Sequence, residues 1–267
     1  MDMQLKGKRA LVTGSSAGIG AGIAQVLAEE GCRVVVHGRN RERAEKVAAE
    51  IGAAGVAIGA LSSDEDAAAV HAEACDVLGG SIQILVNNAG GSQTGSNVRG
   101  PLEISADEWI ANYQMNALAA VRMCLHAVPD MRDAKWGRVI NISSAVAIQP
   151  NSLGSDYSGA KAAMNNFTVS LAGSLKGTGV TVNTLSPGVI LVDSMLRWGR
   201  EKFGNETMTD DEVAQSIADA GIFEMPTVGR AGKADDIAVV ACMLASPRSG
   251  FITGVNYRVD GGQIHTV

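Results

Sequence analysis

Tyr157 and Lys161 stand four residues apart, and Ser144 precedes the tyrosine by thirteen. A phenol, an ammonium and a hydroxyl that converge can protonate a carbonyl. The alanine content of residues 155–176, with apolar Ala160, Ala163, Met164, Phe167, Leu171 and Leu175, predicts a helix there. Positions i and i+4 then share a face. A free phenol has a pKa of about 10, and a nearby ammonium favours the phenolate, which makes Tyr157 a candidate general acid or base. The alternative is a half-buried tyrosine beside a solvated lysine. With three tyrosines and eight lysines in 267 residues, random placement supplies about 0.1 such pairs.

Short apolar runs separate the helical patterns: 10–13, 33–37, 56–58, 82–87, 138–142, 180–185 and 255–259. Their brevity and β-branched content predict strands covered on both faces. Residues 18–30, 40–52, 64–78, 106–131 and 155–176 read as amphipathic helices. This alternation predicts an α/β fold in three layers, a doubly wound Rossmann arrangement with a mostly parallel seven-stranded sheet and right-handed crossovers. One domain spanning 1–267 is expected, with residues 189–228, after Pro187-Gly188, forming a short helical lid.

A net charge of -6 and a pI near 5.3 argue against a broad nucleic-acid surface. Arg39, Arg41 and Arg43 form the one local basic run, broken by Glu42 and Glu45. Four dispersed cysteines, without Cys-x-x-Cys or clustered histidines, predict neither a disulfide framework nor a metal site. They read as free thiols in a reducing compartment. With no apolar run after the charged start and none of the ~20 residues a bilayer span requires, a soluble, cytoplasmic protein without membrane contacts is expected.

The glycine-rich stretch Thr13-Gly14-Ser15-Ser16-Ala17-Gly18-Ile19-Gly20 follows the first predicted strand and opens the first helix. Glycines permit a tight turn and close approach of the backbone to a pyrophosphate, which the helix N-terminus attracts. The spacing differs from the common Gly-x-Gly-x-x-Gly fingerprint. The second strand ends His37-Gly38-Arg39, where such folds meet the adenosine ribose. An acid there suits a free 2′-hydroxyl and an arginine a 2′-phosphate, so Arg39 predicts NADP(H), with NAD(H) as the alternative. Asn87-Asn88-Ala89-Gly90 closes the fourth strand, at the end where ligands bind in open α/β sheets.

Taken together, these motifs resemble the short-chain dehydrogenase/reductase family, especially its NADP-preferring, 3-oxoacyl-thioester reductase-like members. The match comprises Thr13-Gly14-x-x-x-Gly18-Ile19-Gly20, Asn87-Asn88-Ala89-Gly90, Asn116, Ser144 with Tyr157 and Lys161, Pro187-Gly188 and Val259-Asp260-Gly261-Gly262. The resemblance implies that Tyr157 protonates the substrate carbonyl, Ser144 orients it, Lys161 holds the nicotinamide ribose and lowers the phenol pKa, and Asn116 supports a water leading from Lys161 to solvent. It implies a cofactor held by Gly14, Ser15, Ser16, Gly18, Ile19, Gly20, Arg39, Leu61, Asn88, Ala89, Gly90, Tyr157, Lys161, Pro187, Gly188 and Ile190. It further implies a homotetramer paired through 106–131 and 155–176 and through the C-terminal 250–267. Three departures stand out. Ala60-Leu61-Ser62 replaces an aspartate near the adenine; Val192 replaces a threonine near the carboxamide, leaving Ser194, backbone groups or a differently closed site in its place; and Ala17 adds no second basic residue.

Met195, Leu196, Trp198, Phe203, Met208, Ile222, Phe223 and Met225 predict either an apolar wall over the nicotinamide, selecting an apolar ketone or alcohol, or a lid packed on itself. Residues 91–103 and 145–156 are expected to line the same pocket. The expected function is an NADPH-dependent carbonyl reductase. Its rivals are an NAD(H)-using alcohol or hydroxysteroid dehydrogenase running toward oxidation and a nucleotide-binding regulator without catalysis.

Overall fold

A computed structural model describes residues 2–91 and 99–265. Seven strands, β1 (Arg9–Val12), β2 (Arg33–Gly38), β3 (Gly55–Ile58), β4 (Ile84–Asn87), β5 (Gly137–Ile142), β6 (Val180–Pro187) and β7 (Asn256–Val259), form one sheet. Its order is β3-β2-β1-β4-β5-β6-β7, and every pairing is parallel. The expected sheet was mostly parallel; it is wholly so among the described residues. The strand order reverses between β1 and β4. That switch point opens a crevice at the carboxyl ends of the strands.

Helices cover both faces: α1 (Gly18–Glu29), α2 (Arg41–Ile51), α3 (Asp64–Leu78), α4 (Ala106–Tyr113), α5 (Ala119–Asp133), α6 (Ser155–Ser174), α7 (Asp193–Phe203), α8 (Asp210–Asp219) and α9 (Ala234–Ala245). One apolar layer includes Val12, Ile23, Leu27, Val34, Ile140, Leu185 and Ile237; the other includes Leu11, Val35, Leu85, Met123, Val139 and Val182. Alternate residues of each strand thus feed opposite layers, as sidedness in a doubly covered sheet requires. No described helix is long and apolar enough to cross a membrane.

Two features depart from the sequence pattern. The single helix expected over 106–131 is two helices joined by a π-turn at Gln114–Leu118, and Asn116 lies in that turn. Such turns cluster at functional sites. The second departure is α9, in a stretch to which the periodicity assigns no element. Its buried residues fall at helical spacing, but outward Val239, Val240 and Met243 are apolar too, which hides the period in the sequence. Gly22 on α1 makes room for α9, since a Cβ at that position would stand 2.7 Å from the Ala234 Cβ.

Candidate active site

The turn after β1 is built from two loops pressed together. Gly14 and Gly18 take left-handed φ of +66° and +60°. A Cβ on Gly14 would fall 2.8 Å from Ala89 Cα, and one on Gly20 would fall 2.4 Å from Asn88 Nδ2. The Asn88 side chain donates to the Thr13 and Gly14 carbonyls at 2.9 and 3.0 Å, while the Thr13 hydroxyl accepts from the N–H groups of Asn88 and Ala89 at 3.0 Å each. Thr13 and Asn88 therefore lock the ends of β1 and β4 in register. Ala17 caps α1 without a side-chain hydrogen bond, leaving N–H groups of the first turn for an anion. Ile19 packs on the apolar layer under α1.

Ser15 departs from its expected role. Its hydroxyl donates to Val12 O at 2.6 Å and accepts from His37 N at 3.0 Å, and its N–H donates to His37 O at 2.9 Å. Both donors are engaged inside the protein, so Ser15 builds the turn rather than offering a hydrogen bond to a ligand.

His37 is the second tie, which the sequence pattern did not single out. It is buried, and its Nδ1 accepts from Gly14 N–H at 2.9 Å. Burial lowers its pKa to about 4, the Gly59 backbone opposing and the Arg39 charge adding to the fall. Unfolded chains take up this proton near pH 6.5, so the stability contributed by neutral His37 is complete above that pH and lost as pH falls toward 4. The loss amounts to about 3 kcal/mol. Urea midpoints at pH 7 and pH 4.5 should converge in the His37→Asn variant relative to the parent. An unchanged difference would remove His37 as the titrating group.

Beyond this turn lies a cleft of about 450 Å³ lined by Gly14, Ser16, His37, Gly38, Arg39, Leu61, Ala89, Gly90 and neighbouring residues. Gly38 presses against Ser16, where a Cβ would lie 2.7 Å from the hydroxyl and 2.9 Å from Ser16 Cβ. An acidic side chain at 38 has no room. Arg39 is exposed at the rim and makes no ion pair with a described residue, whereas Arg41 pairs with Glu45 at 3.3 Å and Glu73 at 4.0 Å. Leu61 supplies an apolar wall where the aspartate is absent. Arg122 of α5 holds that segment from beneath, donating to Leu61 O at 3.0 Å and pairing with Asp64 at 3.2 Å.

At the carboxyl ends of β4 and β5 the remaining candidates converge. Ser144 lies near enough to Tyr157 for its hydroxyl to favour the phenolate, whereas the neighbouring Ser143 hydroxyl donates to Lys161 O at 3.1 Å. Ser144, not Ser143, therefore faces the phenol. Lys161 is buried, its Nζ 5.7 Å from the Tyr157 ring centroid and donating to Ile142 O at 2.8 Å. Burial lowers the ammonium pKa to about 8. Tyr157 keeps part of its surface accessible, yet burial raises its pKa, with only the nearby Ser144 hydroxyl opposing. The expected lowering by Lys161 is thus overturned in this geometry, because desolvation dominates and the ammonium is turned to a carbonyl. Asn116 is fully buried: its Nδ2 donates to Gly91 O at 2.9 Å, and its Oδ1 accepts from Gly91 N at 3.0 Å. A Cβ on Gly90 would sit 2.5 Å from Asn116 Oδ1 and 3.4 Å from Lys161 Nζ.

Comparison with known proteins fits this layout. Residues 8–202 match the family described as short chain dehydrogenase. The chain belongs to the short-chain dehydrogenase family. It is 35% identical to the 3-oxoacyl-[acyl-carrier-protein] reductase FabG of Pseudomonas aeruginosa, over 97% of this chain and 98% of that protein. Among solved structures, L-sorbose reductase from Gluconobacter frateurii, complexed with NADPH and L-sorbose, superposes with a TM-score of 0.89 at 30% identity, covering 100% of each chain. A 3-oxoacyl (acyl-carrier-protein) reductase from Agrobacterium tumefaciens C58 with NADP bound gives 0.85 at 29% identity, over 98% of this chain and 96% of that one. This short-chain dehydrogenase is an NAD(P)-dependent oxidoreductase.

The residues fit a dinucleotide. Glycines at 14, 18 and 90 let the turn pack tightly against Ala89, Val192 and Asn116, and beside the 450 Å³ cleft it opens onto an uncapped helix N-terminus, as a pyrophosphate requires. At the far end, Pro187 closes β6, and Gly188 is packed so that a Cβ would lie 2.8 Å from Asp260 Cα. The Ile190 side chain is buried in the apolar layer against Gly232, which leaves its backbone for a ligand. Val192 packs beside Gly18, whose Cβ would stand 3.3 Å from Val192 Cγ1, and Ser194 is exposed on α7.

After β6 this short-chain dehydrogenase carries a helix pair, α7 and α8, with its own small core. Leu196, Val213 and Ile217 are buried there, with Leu191, Met195, Phe203, Met208 and Phe223 packed around them. Most of the expected apolar wall is consumed in this core, while Trp198 and Ile222 are 42% and 47% exposed. Of the 91–103 segment expected to line the pocket, residues 92–98 lie outside the described residues, as do 266 and 267 of the C-terminal segment.

Proposed function

We propose that this enzyme reduces a ketone to a secondary alcohol with NADPH, and that Tyr157 is its proton donor. The observation that carries the reading is the convergence of Ser144, Tyr157 and Lys161 behind Gly90, which lines the cofactor cleft. When bound, the dihydronicotinamide supplies hydride to the carbonyl carbon. Tyr157 donates its proton to the carbonyl oxygen, and the Ser144 hydroxyl hydrogen-bonds and orients that oxygen. Lys161, charged below its lowered pKa of about 8, stabilises the phenolate left behind and holds the ribose hydroxyls. Asn116 keeps the Gly90–Gly91 turn in place and supports the water that resupplies the proton. Gly14, Ser16, Gly18, Ile19, Gly20, Asn88, Ala89 and Gly90 hold the dinucleotide, with Leu61 against the adenine and Pro187, Gly188 and the Ile190 backbone at the nicotinamide end.

The preference for the 2′-phosphate rests on Arg39 at the rim and on the lack of space for an acid at Gly38. For the substrate, a second reading competes with an apolar ketone. The lid spends its large side chains on its own core, which favours a polar hydroxyketone, the class that includes the L-sorbose bound by one structural relative. We assign the protein to the cytoplasm, where its four free thiols stay reduced. We also assign it a homotetrameric state, supported by Ile110, Leu118, Leu125 and Val169 exposed on α4 to α6 and by exposed Phe251 and Val255 near β7.

One experiment tests the reading. NADPH and NADH oxidation are followed against L-sorbose, ethyl acetoacetate, an acetoacetyl thioester and bulky aryl ketones. Turnover with NADPH at least tenfold above NADH is expected, with the hydroxyketone or the apolar ketones leading according to lid chemistry. NADPH binding without oxidation by any ketone would refute the reductase and leave the nucleotide-binding regulator.

A further inference from the structure

Asn116 is held from behind by two side chains that the proposed chemistry leaves unused. Asn112, one turn earlier on α4, accepts from Asn116 Nδ2 through its carbonyl at 3.0 Å and through its side-chain Oδ1 at 3.2 Å. Its own Nδ2 donates to Oδ2 of Asp156, the residue next to Tyr157. Both Asn112 and Asp156 are completely buried. The other oxygen, Asp156 Oδ1, has no hydrogen-bond partner among the described residues. A buried carboxyl with half its capacity unmet is costly, and that cost calls for an explanation.

The pattern of donors and acceptors supplies one. Gly91 N–H donates to Asn116 Oδ1, so the Asn116 amide must turn its Nδ2 toward Gly91 O and Asn112. Asn112 must then present its oxygen to Asn116, which directs its own Nδ2 at residue 156. Only an acceptor there is compatible. An Asn112 amide turned the other way would oppose nitrogen to nitrogen at Asn116 and oxygen to oxygen at Asp156. The chain has a single consistent sense from Asp156 to Gly91. Its far end is the corner where Gly90 lies between Asn116 Oδ1 and Lys161 Nζ. Packing reinforces it: the Tyr113 hydroxyl donates to Gly159 O at 3.2 Å, and Trp109 would meet a Cβ on Gly159 at 3.0 Å, which docks α4 onto the Tyr157 and Lys161 turn of α6.

We propose that Asn112 and Asp156 are positioning residues for the reaction, a buried pair that sets the orientation of the Asn116 amide and, through it, of the Gly90–Gly91 turn beside Lys161. The inference rests on the proposed reductase reading. Its test uses the full-length enzyme, NADPH and the ketone with the highest kcat/KM in the panel. Asn112→Leu should lower kcat at least tenfold, with the KM for the ketone and the NADPH Kd, read by fluorescence titration, within threefold of the parent.

An isosteric swap separates orientation from mere folding. Asn112→Asp sets acceptor against acceptor once the two carboxyls no longer share a proton, so its kcat relative to the parent should fall at least tenfold by pH 8. The double variant Asn112→Asp/Asp156→Asn restores one donor between the pair while residue 112 still accepts from Asn116, and should return kcat to within threefold of the parent. If Asn112→Leu fails to fold, the swap alone decides. A kcat for Asn112→Leu within twofold of the parent, or a double variant no faster than Asn112→Asp at pH 8, overturns the proposal. Tyr157→Phe is run alongside: surviving activity in that variant breaks the reading of the site, whereas its loss beside a fast Asn112→Leu breaks only this inference.

Discussion

Tyr157→Phe is expected to lower kcat/KM for ketone reduction by about 10²- to 10⁴-fold, the range supplied by a positioned general acid. That corresponds to about 3–5 kcal/mol of barrier. The change removes one oxygen from a side chain whose ring is already packed, so the fold and the cleft should persist. NADPH affinity, measured by fluorescence titration, should stay within about threefold, because the pyrophosphate turn and Arg39 are untouched. The direction of the pH dependence follows from the same site. Burial raises the Tyr157 pKa, which keeps the proton in place through neutral pH, while Lys161 loses its charge near its lowered value of about 8. Reduction should therefore weaken as pH rises through about 8, when the cation that stabilises the phenolate disappears. Activity that survives Tyr157→Phe would remove the proposed acid, and activity flat from pH 7 to 9 would remove the role given to Lys161.

Arg39→Ala is expected to raise the KM for NADPH by about 10- to 100-fold while that for NADH changes by less than about threefold. A hydrogen bond to a charged group contributes about 1.5–3 kcal/mol, and only one of the two cofactors carries the phosphate that uses it. Arg41 is committed to Glu45 and Glu73, and no second basic residue stands in the glycine turn, where Ala17 occupies the cap. The effect should shrink as salt is raised, since Arg39 is exposed and its field is screened over about 10 Å at 0.1 M. Equal losses with both cofactors would mean that Arg39 shapes the rim rather than reading the phosphate.

Much of the site was legible because its residues act through local geometry. The Tyr157 and Lys161 spacing places both on one turn of α6, and the glycines after β1 have the φ that only glycine adopts readily. Other parts were not legible because partners distant in sequence create them. His37 is twenty-three residues from the Gly14 N–H that it accepts, and Arg122 is sixty-one from the Leu61 carbonyl that it holds. Neither contact leaves a periodic trace. The π-turn around Asn116 escaped for a related reason. A helix that is amphipathic on either side of one extra residue still reads as a single helix, and the amide contacts with Gly91 appear only after β4 and α4 are brought together.

The amino-acid order alone determined the alternation of strand and helix, the glycine turn and the one helical face that Tyr157 and Lys161 share. These depend on backbone preferences, hydrophobic period and helical spacing, all of which act over a few residues. Tertiary structure alone decided how the groups behave. Desolvation, a property of everything packed around Tyr157, turns its pKa upward against the pull expected from the lysine. Close contact decides that Gly38 has no room for an acid, that Ser15 serves the turn, and that the large side chains around α7 and α8 fill that helix pair's own core. Burial and contact are sums over neighbours that the chain brings together from many positions, and no local stretch of sequence contains them.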